Sequence, residues 1–298
     1  MRQQIQRGVP SSPSCSSSTS DCFPLRDLNP AECGSETSAD QEKQERADLS
    51  SMRPVVSFYL SYLLCLCLGL ACLACVCYWN SHWRGGFAWD GSGLQFNWHP
   101  VLMVGGLVVL YGYGAVLYRV PLTWGQNKLP WKLLHAGMML LSLVLAVLGL
   151  VAVFDFHNAK SIPNVYSLHS WIGICTTALF AMQWAVGMAG FLLPCSPVSL
   201  RKLLKPVHVW MGASILSLSV ISCISGINEK LFFVLKESSS GTQPYAALPP
   251  EALFGNSLGV LLVVFVLVVL KILSNVDWQR PDSRPEDMAY RPLIQEDN

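Results

Sequence analysis

The sequence predicts an all-α membrane protein with six transmembrane helices, and three observations point there. First, 52% of its 298 residues are hydrophobic and only 13% are charged, against about a quarter charged in an ordinary soluble domain. Second, the apolar residues gather into six runs, at about 56–78, 99–118, 133–154, 168–193, 207–227 and 253–273. Third, each run reaches about twenty residues, and a helix of that length spans roughly 30 Å, the thickness of a hydrocarbon core. No cluster of charges breaks any run, and a net charge of +1 leaves no electrostatic footprint for nucleic acid.

Residues 1–52 are rich in Ser, Pro, Gln, Glu and Asp. Such a stretch cannot bury enough apolar surface to offset its ordering entropy, so a disordered cytosolic extension is expected there. No apolar core follows Met1, so a signal peptide is not expected. Helix 1 begins after Arg53-Pro54 and opens a six-helix domain over 53–273. It holds Cys65, Cys67, Cys72, Cys75 and Cys77, which read as small packing residues rather than a metal motif. Residues 274–298 form a polar tail carrying Tyr290-Arg-Pro-Leu293, a Tyr-x-x-apolar pattern of the kind that sorting adaptors read.

Loop charges set the orientation. With a cytosolic N-terminus, the cytosolic flanks hold Arg46, Arg53, Arg119, Lys128, Lys132, Arg201, Lys202, Lys205, Lys271 and Arg280. The opposite loops hold only Arg84, Lys160, Lys230 and Lys236. That asymmetry is the positive-inside pattern and places both termini in the cytosol.

Four of the six histidines, His99, His135, His169 and His208, lie inside apolar runs. A membrane histidine is costly unless it faces the bundle and finds a partner. Helices 2 and 4 run in the same direction, and His99 and His169 stand at their lumenal starts. Helices 3 and 5 run the other way, and His135 and His208 stand just inside their cytosolic starts. Two pairs at matched depth suggest two bis-histidine b-type haems, suited to electron transfer because no open iron position remains. Zinc fits less well, since few Cys, Asp or Glu lie at these depths. The absence of Cys-x-x-Cys-His argues against covalent c-type haem. Gly105, Gly106, Gly112, Gly114, Gly137, Gly173 and Gly212 leave room either for a macrocycle or for close helix packing. Ser167 and Ser170, beside His169, suit either a cap or a hydrogen bond to a haem propionate.

The motifs Asn97-Trp98-His99-Pro100, Leu133-Leu134-His135-Ala136, Ser167-Leu168-His169-Ser170-Trp171 and Lys205-Pro206-Val207-His208 resemble the cytochrome b561 family in order and spacing. "RGGFAW" (84–89) and "GLVAVFDFHN" (149–158) add to the likeness, which covers about residues 57–280. "NWHPVLMV", "KLPWKLLHA" and "SGINEKLFF" are most similar to the family's lysosomal, ascorbate-dependent branch. The resemblance implies a homodimer in the late-endosomal and lysosomal membrane, with helices 2–5 bundled around two non-covalent haems b. His99 with His169 would bind the lumenal haem and His135 with His208 the cytosolic one. Electrons would pass from cytosolic ascorbate to lumenal ferric iron or, as the alternative, to lumenal monodehydroascorbate.

Ascorbate is an anion, so its cytosolic site calls for basic residues. The resemblance carries that role to Arg119, Lys128, Lys132 and Arg201, although orientation alone also accounts for such charges. On the lumenal side His82 and His157 are candidates for ferric iron or its chelate, with Asn164 and Tyr166 lining the same pocket. A six-helix metal or proton transporter is the rival reading. It would call for acidic residues at mid-membrane, and the runs carry none there.

Overall fold

The structure is a computed structural model that describes residues 30–236 and 243–280. The first 29 residues and the tail pattern at Tyr290 lie outside the described residues. The chain divides into two units, Met1–Ser50 and Ser51–Asn298. In the first, residues 30–50 are helical where composition predicts disorder. Ala, Glu, Gln and Lys are good helix formers whose propensity needs no burial, and Arg46 pairs with Glu42 one turn away at 2.7 Å.

In the second unit six helices are long and apolar enough to cross a membrane: α1 (Met52–His82), α2 (Gly93–Arg119), α3 (Lys128–Ala159), α4 (Leu168–Leu192), α5 (Val198–Val234) and α6 (Pro250–Ser274). All six predicted runs fall on these helices. All but α4, which matches its run to within a residue, overrun the runs, most at the start of α5, because polar turns such as Arg201-Lys202 continue the helix beyond its apolar stretch. Starts are set by local chemistry. Ser167 and Ser170 form a reciprocal capping box at α4. The Asn127 side chain accepts from the Leu129 N–H at α3, and Pro250 occupies the first turn of α6.

The most apolar stretch of α2 is 67% buried, against 22–33% for the other five, so α2 is the central helix. It packs along α3, α4 packs along α5, and contacts between α3 and α4 and between α2 and α5 close a four-helix bundle. Helix α6 lies against α2 and α5. Its Phe265 fills the notch at Gly112, where an added Cβ would stand 2.8 Å from the ring. The Tyr113 phenol ties α1 to the bundle by donating to the Leu66 carbonyl at 2.7 Å. Leu60, Leu63 and Leu70 on α1, Leu141 and Leu148 on α3, and Val260 and Leu267 on α6 remain exposed. Such outward apolar faces belong in hydrocarbon.

Two helices widen locally into π turns, α2 over Val104–Leu110 and α4 over Met188–Leu192. Such turns cluster at functional sites. In α2 the Gly106 carbonyl accepts the Ser142 hydroxyl of α3 at 2.6 Å. The α1–α2 loop folds back on the start of α2. Gly85, Gly86 and Gly91 supply its positive φ angles, and the Asn97 amide donates to the carbonyls of Arg84 (3.0 Å) and Gly86 (2.7 Å).

Candidate functional site: two histidine pairs in one bundle

The fold brings the four membrane histidines together as two pairs. The His99 and His169 rings lie 6.0 Å apart, centroid to centroid, and nearly perpendicular at 88°. The His135 and His208 rings lie 6.3 Å apart at 69°. The first pair sits at the end of the bundle with the α1–α2 and α3–α4 loops, the second at the end with the α2–α3 and α4–α5 loops.

Three of the four rings are fixed through Nδ1. That of His99 donates to the Gly149 carbonyl at 3.0 Å, that of His135 to the Gly114 carbonyl at 2.9 Å, and that of His169 to the Ser222 carbonyl at 2.9 Å. A carbonyl only accepts, so Nδ1 carries the proton and Nε2 keeps its lone pair free for a metal. His208 differs. Its Nδ1 is buried without a partner, and the ring is held by Phe191 at 5.2 Å and by the absence of a side chain at Gly187. A Cβ there would stand 3.0 Å from its Cε1. The Gln183 amide donates to the His208 carbonyl at 2.6 Å and fixes the backbone instead.

This geometry fits a planar metal macrocycle. A metal–imidazole bond is about 2 Å, so two such bonds plus half a ring on each side come to roughly 6 Å. The gaps of 6.0 and 6.3 Å match it. No group of three or more His, Cys, Asp or Glu that could hold a metal ion occurs among the described residues. Each pair therefore could supply two imidazole donors, and the remaining bonds of a metal would have to come from the group that carries it. Around His99 and His169 opens a mostly apolar cavity of about 520 Å³, within the range of small-molecule and cofactor sites. Its floor includes Gly226, where an added Cβ would meet His169 Cε1 at 2.7 Å.

The substrate candidates separate. His157 and Tyr166 line the 520 Å³ cavity beside the first pair. Burial first, and then the Glu229 carboxylate 3.4 Å away, push the Tyr166 phenol up. His82 does not line that cavity. It is exposed and stacks on Tyr78 at 5.2 Å. Asn164 is likewise outside the lining and donates to Asn158 at 2.8 Å. At the other end, the Lys132 ammonium lies 3.4 Å from the carbonyl of Phe191, the residue whose ring packs on His208. Lys128 occupies the first turn of α3. The Arg119 guanidinium caps the end of α6, donating to the carbonyls of Leu273 and Asn275, and Arg201 donates to the Leu193 carbonyl at 3.1 Å.

Sequence reasoning missed a charged network at the first pair. Glu251 at the start of α6 is 5% exposed. It accepts from Trp79 Nε1 at 2.8 Å and pairs with Arg84. Lys230 lies beside them, its ammonium 4.0 Å from the centroid of the Phe96 ring. The only sequence signal was a carboxylate at the mouth of an apolar run.

Comparison with known proteins follows the same lines. Residues 98–234 match the model of the eukaryotic cytochrome b561 family. The chain is 65% identical over 242 residues to the zebrafish (Danio rerio) "lysosomal membrane ascorbate-dependent ferrireductase CYB561A3", covering 81% of this chain and 98% of that protein. It is 58% identical over 225 residues to the human protein of that name, covering 76% and 92%. It is also 44% identical over 233 residues to the "plasma membrane ascorbate-dependent reductase CYBRD1" of Xenopus laevis, covering 78% and 80%.

Proposed function

The chain belongs to the eukaryotic cytochrome b561 family, and from that premise we propose that it is an ascorbate-dependent ferric reductase of the lysosomal membrane. We infer two haems b per chain, one held by His99 and His169 and one by His135 and His208. The observation that carries this is the pair of matched imidazole gaps, 6.0 and 6.3 Å, at opposite ends of one bundle. When bound, haem b would supply a one-electron carrier, and with two histidines holding each haem its iron would be suited to electron transfer rather than oxygen binding.

The protein's own residues do the rest. The carbonyls of Gly149, Gly114 and Ser222 hold three imidazoles through Nδ1, which would leave each Nε2 free to hold a metal. The apolar walls keep water from the centres. The α2–α3 and α4–α5 loops face the cytosol in this reading, as their basic residues favour. Lys128, Lys132, Arg119 and Arg201 raise the local ascorbate concentration there, and Lys132 reaches the carbonyl of Phe191, whose ring packs on His208. Each ascorbate monoanion gives up one electron and one proton and becomes monodehydroascorbate. The electron leaves past His99 and His169 at the lumenal face and converts one ferric ion to ferrous. His157 and Tyr166 line that exit, with His82 and Asn164 at its margin. The working unit is a homodimer embedded in lipid, with both termini cytosolic, in lysosomes and late endosomes.

The test is a sealed vesicle with ascorbate on the α2–α3 loop side and ferric citrate on the other. Ferrous iron should appear only when ascorbate is enclosed on that side. Acid acetone should release two haems per chain, and one from the His135→Ala, His208→Ala double variant. Full haem retention in that variant would overturn the ligand assignment.

A further inference from the structure

A second cavity of about 470 Å³ lies beside the first and is more open. Arg84 and Lys230 line both cavities and so form their common wall. The second cavity has polar walls at Ser92 and Asn97, and no Asp or Glu lines it. Its charge is therefore cationic on its own surface, although Glu251 behind Arg84 offsets part of it.

The cations are incompletely used. Arg84 gives one Nη to Glu251, but its Nε is buried with no partner. A buried N–H without an acceptor calls for one. Lys230 rests over the Phe96 ring and has no carboxylate within 4.0 Å among the described residues. The Asn97 amide cannot compete for a ligand, because it already donates to two loop carbonyls. The backbone around Arg84 is pinned by those same bonds, so the guanidinium is presented by a fixed loop.

We propose that Arg84 and Lys230 form a carboxylate clamp at the lumenal mouth of the electron exit. A guanidinium and an ammonium lining one open cavity that no carboxylate lines suit the oxygens of a carboxylate. That chemistry has two sources here: an arm of an anionic ferric polycarboxylate, or a propionate of the haem between His99 and His169. The clamp rests on the ferric-reductase reading and gives its acceptor a chemical class.

The experiment uses the full chain with both haems in vesicles. The variants are Lys230→Gln and, to keep charge opposite Glu251, Arg84→Lys. The acceptors are ferric citrate, an anion, and hexaammineruthenium(III), a cation. If the ligand is the chelate, Lys230→Gln raises KM for ferric citrate about tenfold and leaves KM for the cation unraised. Iron-free citrate then inhibits the wild type competitively and the variant weakly, with both haem midpoint potentials unchanged. If the ligand is the propionate, one haem potential falls in both variants, because a positive charge beside the reduced centre is lost or displaced, and the two acceptors respond alike. Either pattern supports the clamp. Unchanged KM for ferric citrate together with unchanged potentials in both variants overturns it. A wild type that moves no electrons from ascorbate to either acceptor would sink the reductase reading, while the potentials would still judge the clamp.

Discussion

Substituting Gly226 by alanine tests the histidine pairs without touching a histidine. An added Cβ would stand 2.7 Å from His169 Cε1 and 3.0 Å from its Nδ1. Carbon atoms pack best at about 3.5–4.0 Å, so the ring must yield by roughly 0.8 Å or more. Metal–ligand distances tolerate only about 0.2 Å. The ring is also held by its 2.9 Å bond to the Ser222 carbonyl, and giving that up costs about 1 kcal/mol. Overpacking adds about 1–3 kcal/mol. Against this, alanine in place of glycine inside a helix regains up to about 1 kcal/mol. The net loss is small for a folded bundle but large for one metal bond. Gly226→Ala should therefore fold, keep the haem of His135 and His208, and lose or loosen the other. Haem per chain and the low-spin electron paramagnetic resonance signals of each centre read this directly. Gly259→Ala, where nothing lies within 4 Å of the added Cβ, is the control and should be silent. Two intact haems with wild-type signals in Gly226→Ala would refute the placement of His169 as a ligand.

Further outcomes follow from other contacts. Lys132→Glu should slow reduction by ascorbate several-fold with haem content intact, and the deficit should shrink in high salt, since exposed charges are screened over about 8–10 Å. Glu251→Gln leaves Arg84 beside an uncharged partner, and breaking a buried ion pair costs about 3–5 kcal/mol. Arg84 is partly exposed, so the low end of that range is expected, read as a fall in the thermal midpoint. Gln183→Leu removes the 2.6 Å bond to the His208 carbonyl. It should cost about 1 kcal/mol and shift only the potential of the His135–His208 haem in a redox titration.

How much of this the sequence disclosed depended on the range of the physics involved. The six helices were legible because hydropathy is a local property and a bilayer sets their length. The pairing of His99 with His169 and of His135 with His208 was legible because helix direction alternates, which fixes depth without knowledge of packing. The Arg84–Glu251–Trp79 network was not, since Glu251 lies 167 and 172 residues along the chain from Arg84 and Trp79. Arg119 read in the sequence only as a cytosolic cation and a candidate for ascorbate, and the fold adds that it caps the carbonyl end of α6, a role only the tertiary fold assigns. His82 and His157 looked equivalent in sequence, and the fold places only His157 in the lining beside the first pair.

The wide turn of α2 also acts as a vernier. Two reciprocal hydrogen bonds join α2 and α3 at their ends, His99 to Gly149 and His135 to Gly114. Between them α3 counts fourteen steps and α2 counts fifteen. Fourteen steps are about four full turns of an α-helix, which brings both ends round to the same side. A fifteenth, in an unbroken α-helix, would swing the far end by about 100°. The π turn over Val104–Leu110 absorbs it and keeps the two helices in phase. Between His169 and Gln183 on α4, and between His208 and Ser222 on α5, both helices count fourteen, and no wide turn intervenes. Deleting one residue from Val104–Leu110 should thus leave a regular helix that is shorter by the surplus step and still in register. Inserting one into the facing stretch of α3 would break the phase and turn the two histidine pairs out of line with each other.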